Sequence, residues 1–241
     1  MSLKLTVVGC SPAWPNPGGA QSGYLLEGPG RLLLDCGPGV LAKLRQHESW
    51  PSVDAIAITH WHLDHWGDLV PWTWGVMFGP AADLDPPELW LPPGGTEQLR
   101  AFGRSFGTEE MFEETFSIRE YADAVAFEAA GLEITPARVP HYGLLSFGFR
   151  VTGPKAALAY SADSGPADAL VELARDADLF ICEATLAESG EEGARGHLSL
   201  DEAAAAFEAS GARRLLVTHR PVELPLAAGF EQAHDGMELE V

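Results

Sequence analysis

The chain has 241 residues, 46% of them hydrophobic and 21% charged, a composition typical of a folded protein with a sizeable core and not of a disordered chain. Its apolar runs are far shorter than the roughly 20 residues of a membrane helix, and residues 1–9 lack the order of a signal peptide, so we expect a cytoplasmic protein without a membrane partner. The 35 acidic and 15 basic residues give a formal charge of −20, a negative field that disfavours nucleic acid as a partner.

Short apolar runs separated by Gly and Pro predict the elements of the first part of the chain. Residues 3–9 are predicted to form a strand, and residues 22–27 and 31–35 a hairpin. A helix is predicted at 40–46. Residues 53–59 form an apolar run that ends directly at a group of histidines, which indicates a buried strand that delivers side chains at its carboxyl end.

The remainder of the chain mixes strands and helices in the same way. After a stretch of loop or helix from 67 to about 114, strands and helices are predicted in turn, with Ser199 as the N-cap of the last helix. The predicted strands are 88–91, 125–128, 132–138, 146–151, 156–161, 178–183 and 214–218, and the predicted helices are 96–106, 167–175 and 199–209. A strand-rich half with helices, repeated once, indicates two β-sheets packed together with helices outside, in one domain over residues 1–241.

The run Thr59-His60-Trp61-His62-Leu63-Asp64-His65 carries the strongest chemical signal. On an extended segment the side chains of His60 and His62 point to one side, whereas the adjacent Asp64 and His65 cannot share that direction. The spacing therefore suits two neighbouring metal ions, one for each pair. Imidazole and carboxylate ligands without thiolates are typical of a catalytic zinc site, and no CxxC pair among the three cysteines suggests a structural one.

This HxHxDH spacing resembles the signature of the metallo-β-lactamase superfamily, and the resemblance continues in chain order to the end of the sequence. It implies a four-layer αββα sandwich with two mixed β-sheets. It also implies a first metal ion held by His60, His62 and His141 and a second held by Asp64, His65 and His219. Asp163 would bind both ions. Zinc is expected, with manganese as the alternative.

Two further segments are similar to the ribonuclease Z-like phosphodiesterases of this superfamily. They contain Glu183, in Phe180-Ile181-Cys182-Glu183-Ala184-Thr185, and His197, in Gly196-His197-Leu198-Ser199. The resemblance implies that Glu183 and His197 form a pair near the leaving group, with Asp64 as a further catalytic residue that fixes the metal geometry. Asp35 is expected to orient a metal-binding histidine.

The sequence departs from this branch in lacking the long, basic, Gly/Pro-rich arm with which ribonuclease Z grips transfer RNA.

A second feature is the group of aromatic residues around the metal motif, namely Trp61, Trp66, Trp72, Trp74 and Phe78. We interpret these tryptophans as core residues. The alternative is an apolar wall on which a nucleobase or an aromatic leaving group stacks.

These observations predict a two-metal hydrolase, and in particular a phosphodiesterase that acts on a small phosphodiester such as a cyclic nucleotide. A small anionic substrate is expected, and the sequence leaves a homodimer open. The alternatives are a transfer-RNA 3′-processing endonuclease of the ribonuclease Z type and a hydrolase of carboxylic esters, thioesters or lactones. From a different class, the chain could be a metal-stabilised binding protein without turnover.

Overall fold

The computed structural model describes residues 3–189 and 193–241, which form two β-sheets packed face to face with helices on the outer side of each. The predicted αββα sandwich is therefore confirmed. The described strands are β1 (Lys4–Gly9), β2 (Gly23–Glu27), β3 (Arg31–Leu34), β4 (Ala55–Ala57), β5 (Glu88–Leu91), β6 (Ser117–Glu120), β7 (Phe127–Ala129), β8 (Leu132–Val139), β9 (Ser146–Thr152), β10 (Ala157–Tyr160), β11 (Leu179–Glu183), β12 (Leu215–Thr218), β13 (Glu231–Gln232) and β14 (Met237–Glu240).

Both sheets are mixed, and each divides into an antiparallel and a parallel part. The first sheet has the order β14-β1-β2-β3-β4-β5-β6, in which the pairs from β14 to β3 are antiparallel and those from β3 to β6 parallel. The second has the order β13-β12-β11-β10-β9-β8-β7, in which the pairs from β13 to β10 are parallel and those from β10 to β7 antiparallel. The second sheet thus combines antiparallel and parallel pairs in the same way as the first.

The core lies in three layers, and successive side chains of one strand enter different layers. In β3, Leu32 and Leu34 are fully buried between the two sheets, whereas Leu33 is fully buried between the first sheet and its helices. Full burial of one leucine stabilises a protein by about 1.5 to 3 kcal/mol. A third cluster fills the space between the second sheet and its helices, where Phe180 and Val217 are fully buried.

The helices cover the outer faces of the sheets. They are α1 (Val40–Leu44), α2 (Leu63–Trp66), α3 (Leu69–Phe78), α4 (Gly95–Ser105), α5 (Asp168–Leu173) and α6 (Leu200–Ser210). The predicted N-cap of the last helix is confirmed, since the Ser199 hydroxyl accepts from the Glu202 N–H while the Glu202 carboxylate accepts from the Ser199 N–H. The segment after residue 67, predicted as loop or helix, begins with α3.

The sequence analysis missed three strands, all at or near sheet edges. β6 has one apolar residue among four, Ile118; β13 has only two residues; and β14 alternates charged and apolar side chains that are at most partly buried. None of them has the apolar run on which a strand prediction depends. β4 is shorter than predicted, although hydrogen bonds from Asp54 N–H to Arg31 O and from Ile58 N–H to Trp90 O continue its pairing on both sides.

Within the described ranges, no helix is long and apolar enough to cross a membrane. Cys10, Cys36 and Cys182 are buried and free of disulfides. Burial raises the pKa of all three thiols, so they remain protonated and act as small apolar side chains.

Candidate active site

The predicted ligand residues lie at one edge of the sandwich, because each follows the carboxyl end of a strand. His60 follows β4, His141 follows β8, Asp163 follows β10 and His219 follows β12. In the second sheet β10 and β12 run in the same direction, and β8 runs with them because β9, between β8 and β10, is antiparallel to both. Carboxyl ends of such strands meet at one edge, where α/β proteins place their ligands.

The first group of candidate ligands combines His60, His62, His141 and Asp163, whose ligand atoms lie within 4.8 Å of one another. The Nε2 atoms of His60 and His141 lie 3.8 and 4.0 Å from Asp163 Oδ2. His62 presents Nδ1, which lies 2.8 Å from His141 Nε2. Three imidazoles and one carboxylate oxygen therefore surround one point.

The second group combines Asp64, His65, Asp163 and His219, again within 4.8 Å. Asp64 Oδ2 lies 3.4 Å from His65 Nε2 and 3.2 Å from His219 Nε2. Asp163 belongs to both groups, since its Oδ2 lies 3.3 Å from His65 Nε2 and its Oδ1 lies 3.5 Å from His219 Nε2. The structure thus brings all seven predicted ligand residues into two adjoining groups with a shared carboxylate.

The outer nitrogen of each of four imidazoles is hydrogen-bonded to a protein oxygen. His65 Nδ1 pairs with Asp35 Oδ2 at 2.7 Å and His141 Nδ1 with the Gly196 carbonyl oxygen at 2.7 Å. The Nδ1 atoms of His60 and His219 pair with the hydroxyls of Thr59, at 3.1 Å, and Thr185, at 2.9 Å. A proton on each Nδ1 leaves the Nε2 lone pair directed into the site, which is the arrangement of metal-binding histidines.

Several backbone positions at this edge have positive φ, which non-glycine residues adopt at a cost in energy. Asp35, Tyr142, Ala162 and His219 have φ values of 59°, 45°, 52° and 51°. Each is a candidate site residue or the neighbour of one. Such conformations persist where surrounding structure enforces them, and they cluster at functional sites.

Whether a cation fits the two His/Asp groups can be judged from buried polar atoms that lack a hydrogen-bond partner. Within residues 3–189 and 193–241, His60 Nε2, His65 Nε2 and Asp163 Oδ1 make no hydrogen bond. Leaving such atoms unpaired in a protein interior costs free energy. All three face the centres of the two groups, so divalent cations bound there would satisfy them.

The protonation states of the site also suit a cation. Burial lowers the pKa of His60, His62 and His141, so these imidazoles are neutral, the form that binds a metal. Burial opposes protonation of His65, but the carboxylates of Asp163, Asp35 and Asp64 together outweigh it and raise its pKa. Without a metal, these carboxylates therefore draw a proton onto His65, which shows that the cluster favours positive charge.

Asp35 connects the second group to both sheets. Its carboxylate accepts hydrogen bonds from the Thr59 N–H at 2.8 Å, the Thr59 hydroxyl at 3.0 Å and the Tyr160 hydroxyl at 2.9 Å, besides His65 Nδ1. It is fully buried at the end of β3. These contacts support the expectation that Asp35 orients a metal-binding histidine.

Replacing Asp35 by asparagine is expected to weaken metal binding by about 10- to 100-fold, because the imidazole of His65 loses its charged partner. Competition with a chromogenic chelator measures the affinity. Tyr160→Phe is the matched control, since it removes one donor to Asp35 and leaves the contact with His65 intact, and its effect should be smaller. Equal affinities for Asp35→Asn and wild type would contradict this role.

Glu183 and His197 form a hydrogen-bonded pair beside the two groups, with Glu183 Oε1 2.8 Å from His197 Nδ1. Glu183 is fully buried at the end of β11 and also accepts from the N–H groups of Ser164, Thr185 and Leu198 and from the Thr185 hydroxyl. Because these backbone and hydroxyl partners donate, the Glu183 carboxylate is held in place and accepts from His197, whose proton is therefore on Nδ1.

Glu183, His197 and His219 also lie close enough together to be considered a third metal group. Their hydrogen bonds argue against a metal here. The oxygens of Glu183 are occupied by the donors described above, and His219 directs Nε2 towards Asp64 and Nδ1 towards Thr185. These hydrogen bonds suit an acid–base pair beside the two His/Asp groups better than a third metal site.

The tryptophans near the metal motif pack among the helices of the first sheet. Trp66 and Trp72 are buried in the cluster between the first sheet and its helices, and Trp61 and Trp74 pack against that cluster. Trp61 lies against Gly95 at the start of α4. This packing supports the interpretation as core for Trp66 and Trp72, whereas Trp61 and Trp74 are only partly buried and Phe78 is 77% exposed.

Sequence reasoning missed three residues that contact the candidate ligands or the acid–base pair. Thr59 and Thr185 bind the outer nitrogens of His60 and His219, and Tyr142 packs its ring against those of His141 and His197. The position of Thr59 directly before the motif was a usable signal. Thr185 and Tyr142 act through contacts with residues distant in sequence, which local patterns do not reveal.

Two adjoining His/Asp groups at the carboxyl edge of an αββα sandwich define a metal-dependent hydrolase of the metallo-β-lactamase fold. A family model described as the beta-lactamase superfamily domain matches residues 30–220. The protein Rv1339 of Mycobacterium tuberculosis is 36% identical over 225 residues, covering 92% of this chain and 82% of Rv1339. Ribonuclease Z of Mycobacterium marinum is 28% identical over 241 residues, covering 90% and 86%.

The crystal structure of YhfI, a metallo-β-lactamase fold protein from Bacillus subtilis, superposes with a TM-score of 0.85 at 24% identity and covers 100% of both chains. The chain therefore belongs to the metallo-β-lactamase superfamily, and it is similar in sequence to ribonuclease Z. It is a metal-dependent hydrolase, and its two His/Asp groups have the composition and spacing to hold divalent metal ions.

Proposed function

We propose that the chain hydrolyses a phosphodiester bond in a small molecule, such as a cyclic nucleotide, with two zinc ions at the His/Asp groups. The observation that carries this proposal is the position of His197. Its ring stacks on that of His219, with centroids 5.7 Å apart and planes 18° apart, and lies 5.1 Å from that of His141. A proton donor here is next to the groups that would hold the phosphoryl oxygens, where a leaving alkoxide needs one.

In this proposal His60, His62 and His141 would hold one ion, Asp64, His65 and His219 would hold the other, and Asp163 would bind both. The chemistry that two divalent ions would supply there is activation of water at neutral pH and neutralisation of the oxygens in an in-line displacement at phosphorus. Asp64 and Asp163 fix the separation of the two groups. His197 gives the Nε2 proton of its protonated form to the leaving oxygen, while Glu183 holds the ring and stabilises its positive charge.

The charge distribution favours a small substrate over a polyanion. Arg213 and Arg214 are the densest group of basic residues in the sequence. Both form salt bridges, Arg213 with Asp178 and Arg214 with Glu231. Near the site, Arg195 pairs with Glu202, and Arg220 is buried with its guanidinium donating to backbone carbonyls. Salt-bridged arginines in a chain of charge −20 are poorly suited to neutralise a run of phosphates.

The alternatives predict different substrates. A similar protein is a ribonuclease Z, and the same metals could polarise the carbonyl of a carboxylic ester, thioester or lactone. A panel of bis(p-nitrophenyl) phosphate, cyclic nucleotides, thioesters and lactones, assayed with zinc and with manganese, separates these functions. We expect the phosphodiesters to be the best substrates. Preferential turnover of a thioester or lactone would overturn the proposal, and no turnover of any substrate would favour a binding protein.

We further expect precursor transfer RNA to remain uncut at physiological salt while small phosphodiesters are hydrolysed, because the net charge of −20 repels a polyanion. Gel analysis of the RNA alongside turnover of bis(p-nitrophenyl) phosphate by the same preparation makes the measurement. A ribonuclease Z assayed in parallel controls for the quality of the RNA. Efficient cleavage by this chain would show that its net charge is a poor guide to its substrate.

A further inference from the structure

Tyr142 occupies an unusual position directly after the candidate ligand His141. Its backbone has φ 45°, a left-handed conformation that is rare for a bulky residue. Contacts with residues 195 and 196, in the described part of the chain, help to hold it there. The Tyr142 N–H donates to the Arg195 carbonyl at 3.3 Å, and the ring lies against Gly196, where a Cβ would come within 2.2 Å of Tyr142 Cε2. Gly196 therefore makes room for this ring in the segment that leads to His197.

The ring is placed beside the acid–base pair. Its centroid lies 5.0 Å from that of His141 and 5.5 Å from that of His197, the latter in an edge-to-face arrangement at 74°. The side chain is nevertheless 46% exposed. One part of the ring thus contacts the imidazole that would protonate the leaving group, and another part is exposed at the surface, where a bound molecule can reach it.

The loop that carries Tyr142 is apolar on its exposed side. Leu144 and Leu145 are 40% and 38% exposed, and they follow Tyr142 and Gly143 before β9 begins. Large side chains of this kind on a loop that carries a candidate metal ligand offer apolar surface for a substrate to cover. Trp66 and Trp72 do not serve this purpose, because they are buried between the first sheet and its helices.

We propose that Tyr142 is a specificity-determining residue whose ring packs against a planar, apolar part of the leaving group, such as an aromatic ring. This inference rests on the proposed function for the identity of the bond that is cleaved. Water attacks phosphorus, the bond from phosphorus to the leaving oxygen breaks, and the proton of His197 passes to that oxygen. A planar group attached to the oxygen then lies on the Tyr142 side of His197, where ring–ring contact stabilises it.

The test compares two methyl phosphodiesters, one with a phenyl and one with a hexafluoroisopropyl leaving group, which are similar in acidity while only phenyl is planar. In Tyr142→Asn, a residue that tolerates positive φ replaces the ring. The ratio of kcat/KM for phenyl over hexafluoroisopropyl should fall about tenfold, the upper range for one aromatic contact. Tyr142→Phe keeps the ring and should keep the preference for phenyl. Phe78→Ala, which removes a 77% exposed aromatic ring on α3, controls for the loss of any exposed ring.

Binding without turnover gives an independent measurement. Calorimetry on metal-loaded protein should show that Tyr142→Asn weakens phenyl phosphate more than methyl phosphate, with the metal content of both proteins equal. An unchanged ratio in both experiments, or equal losses on both compounds, would overturn the role of Tyr142. If the wild type cleaves the matching acetates and none of the phosphodiesters, the proposed function fails, and the same pair of leaving groups on the acetates decides the role of Tyr142.

Discussion

Replacing His197 by alanine is expected to slow turnover of an alkyl phosphodiester by about 10²- to 10⁴-fold while the metal ions stay bound, the usual contribution of general acid catalysis. An alkoxide is a poor leaving group that needs the proton of His197 as the bond breaks. An activated aryl oxide needs little protonation, so the deficit should shrink on p-nitrophenyl substrates. The experiment measures the turnover of wild type and variant on a series of phosphodiesters with different leaving groups, together with the metal content of each protein.

Glu183→Gln is the companion variant. We expect a milder deficit with the same dependence on the leaving group, because His197 remains and only its orientation and basicity change. The structure adds a cost in stability, since the amide nitrogen of glutamine would face donors such as the N–H groups of Ser164 or Leu198. If His197→Ala loses metal, or is slowed equally on all substrates, His197 is a ligand or binds substrate and is not the acid.

Removing the carboxylate of Asp163 is expected to abolish activity and to release both metal ions. Asp163 is the one residue shared by the two metal groups, and it is almost fully buried between them. The wild type should contain about two ions per chain by elemental analysis, and Asp163→Ala close to none. His62 belongs to the first group alone, so His62→Ala should lose activity and chiefly the ion of that group.

The same variants can be compared by thermal unfolding. An ion present at a hundred times its Kd stabilises the native state by about 2.7 kcal/mol, which corresponds to a Tm shift of about 5 to 10 °C for a chain of this size. A chelator should therefore lower the Tm of the wild type and have little effect on Asp163→Ala. Retention of two ions and activity by Asp163→Ala would contradict a shared ligand.

The sequence was most informative where structure and chemistry are both local. The ligands from His60 to His65 follow one short strand and α2 begins at Leu63, so their division into two groups followed from residue spacing. His141, Asp163 and His219 were found by their order along the chain. Short apolar runs likewise predicted most strands of both sheets.

Contacts between distant residues were beyond such reasoning. The Tyr142 N–H donates to the Arg195 carbonyl, and the Tyr142 ring lies against Gly196. The Thr185 hydroxyl lies between Glu183 and His219 and is hydrogen-bonded to both. No local pattern encodes either arrangement. The strand β14 was missed for a related reason, because its stability comes from pairing with β1 and not from an apolar run of its own.

The pairing of β14 with β1 also bears on how the chain folds. Lys4 lies opposite Glu240, so this pair forms only by closing a loop of more than two hundred residues. Such non-local pairing slows folding, because the entropy of closure is lost before the contact can stabilise the chain. During synthesis β1 therefore has no partner on one side until the ribosome has released β14. In that interval β1 exposes unpaired backbone groups, and the nascent chain is then most open to aggregation and to chaperones.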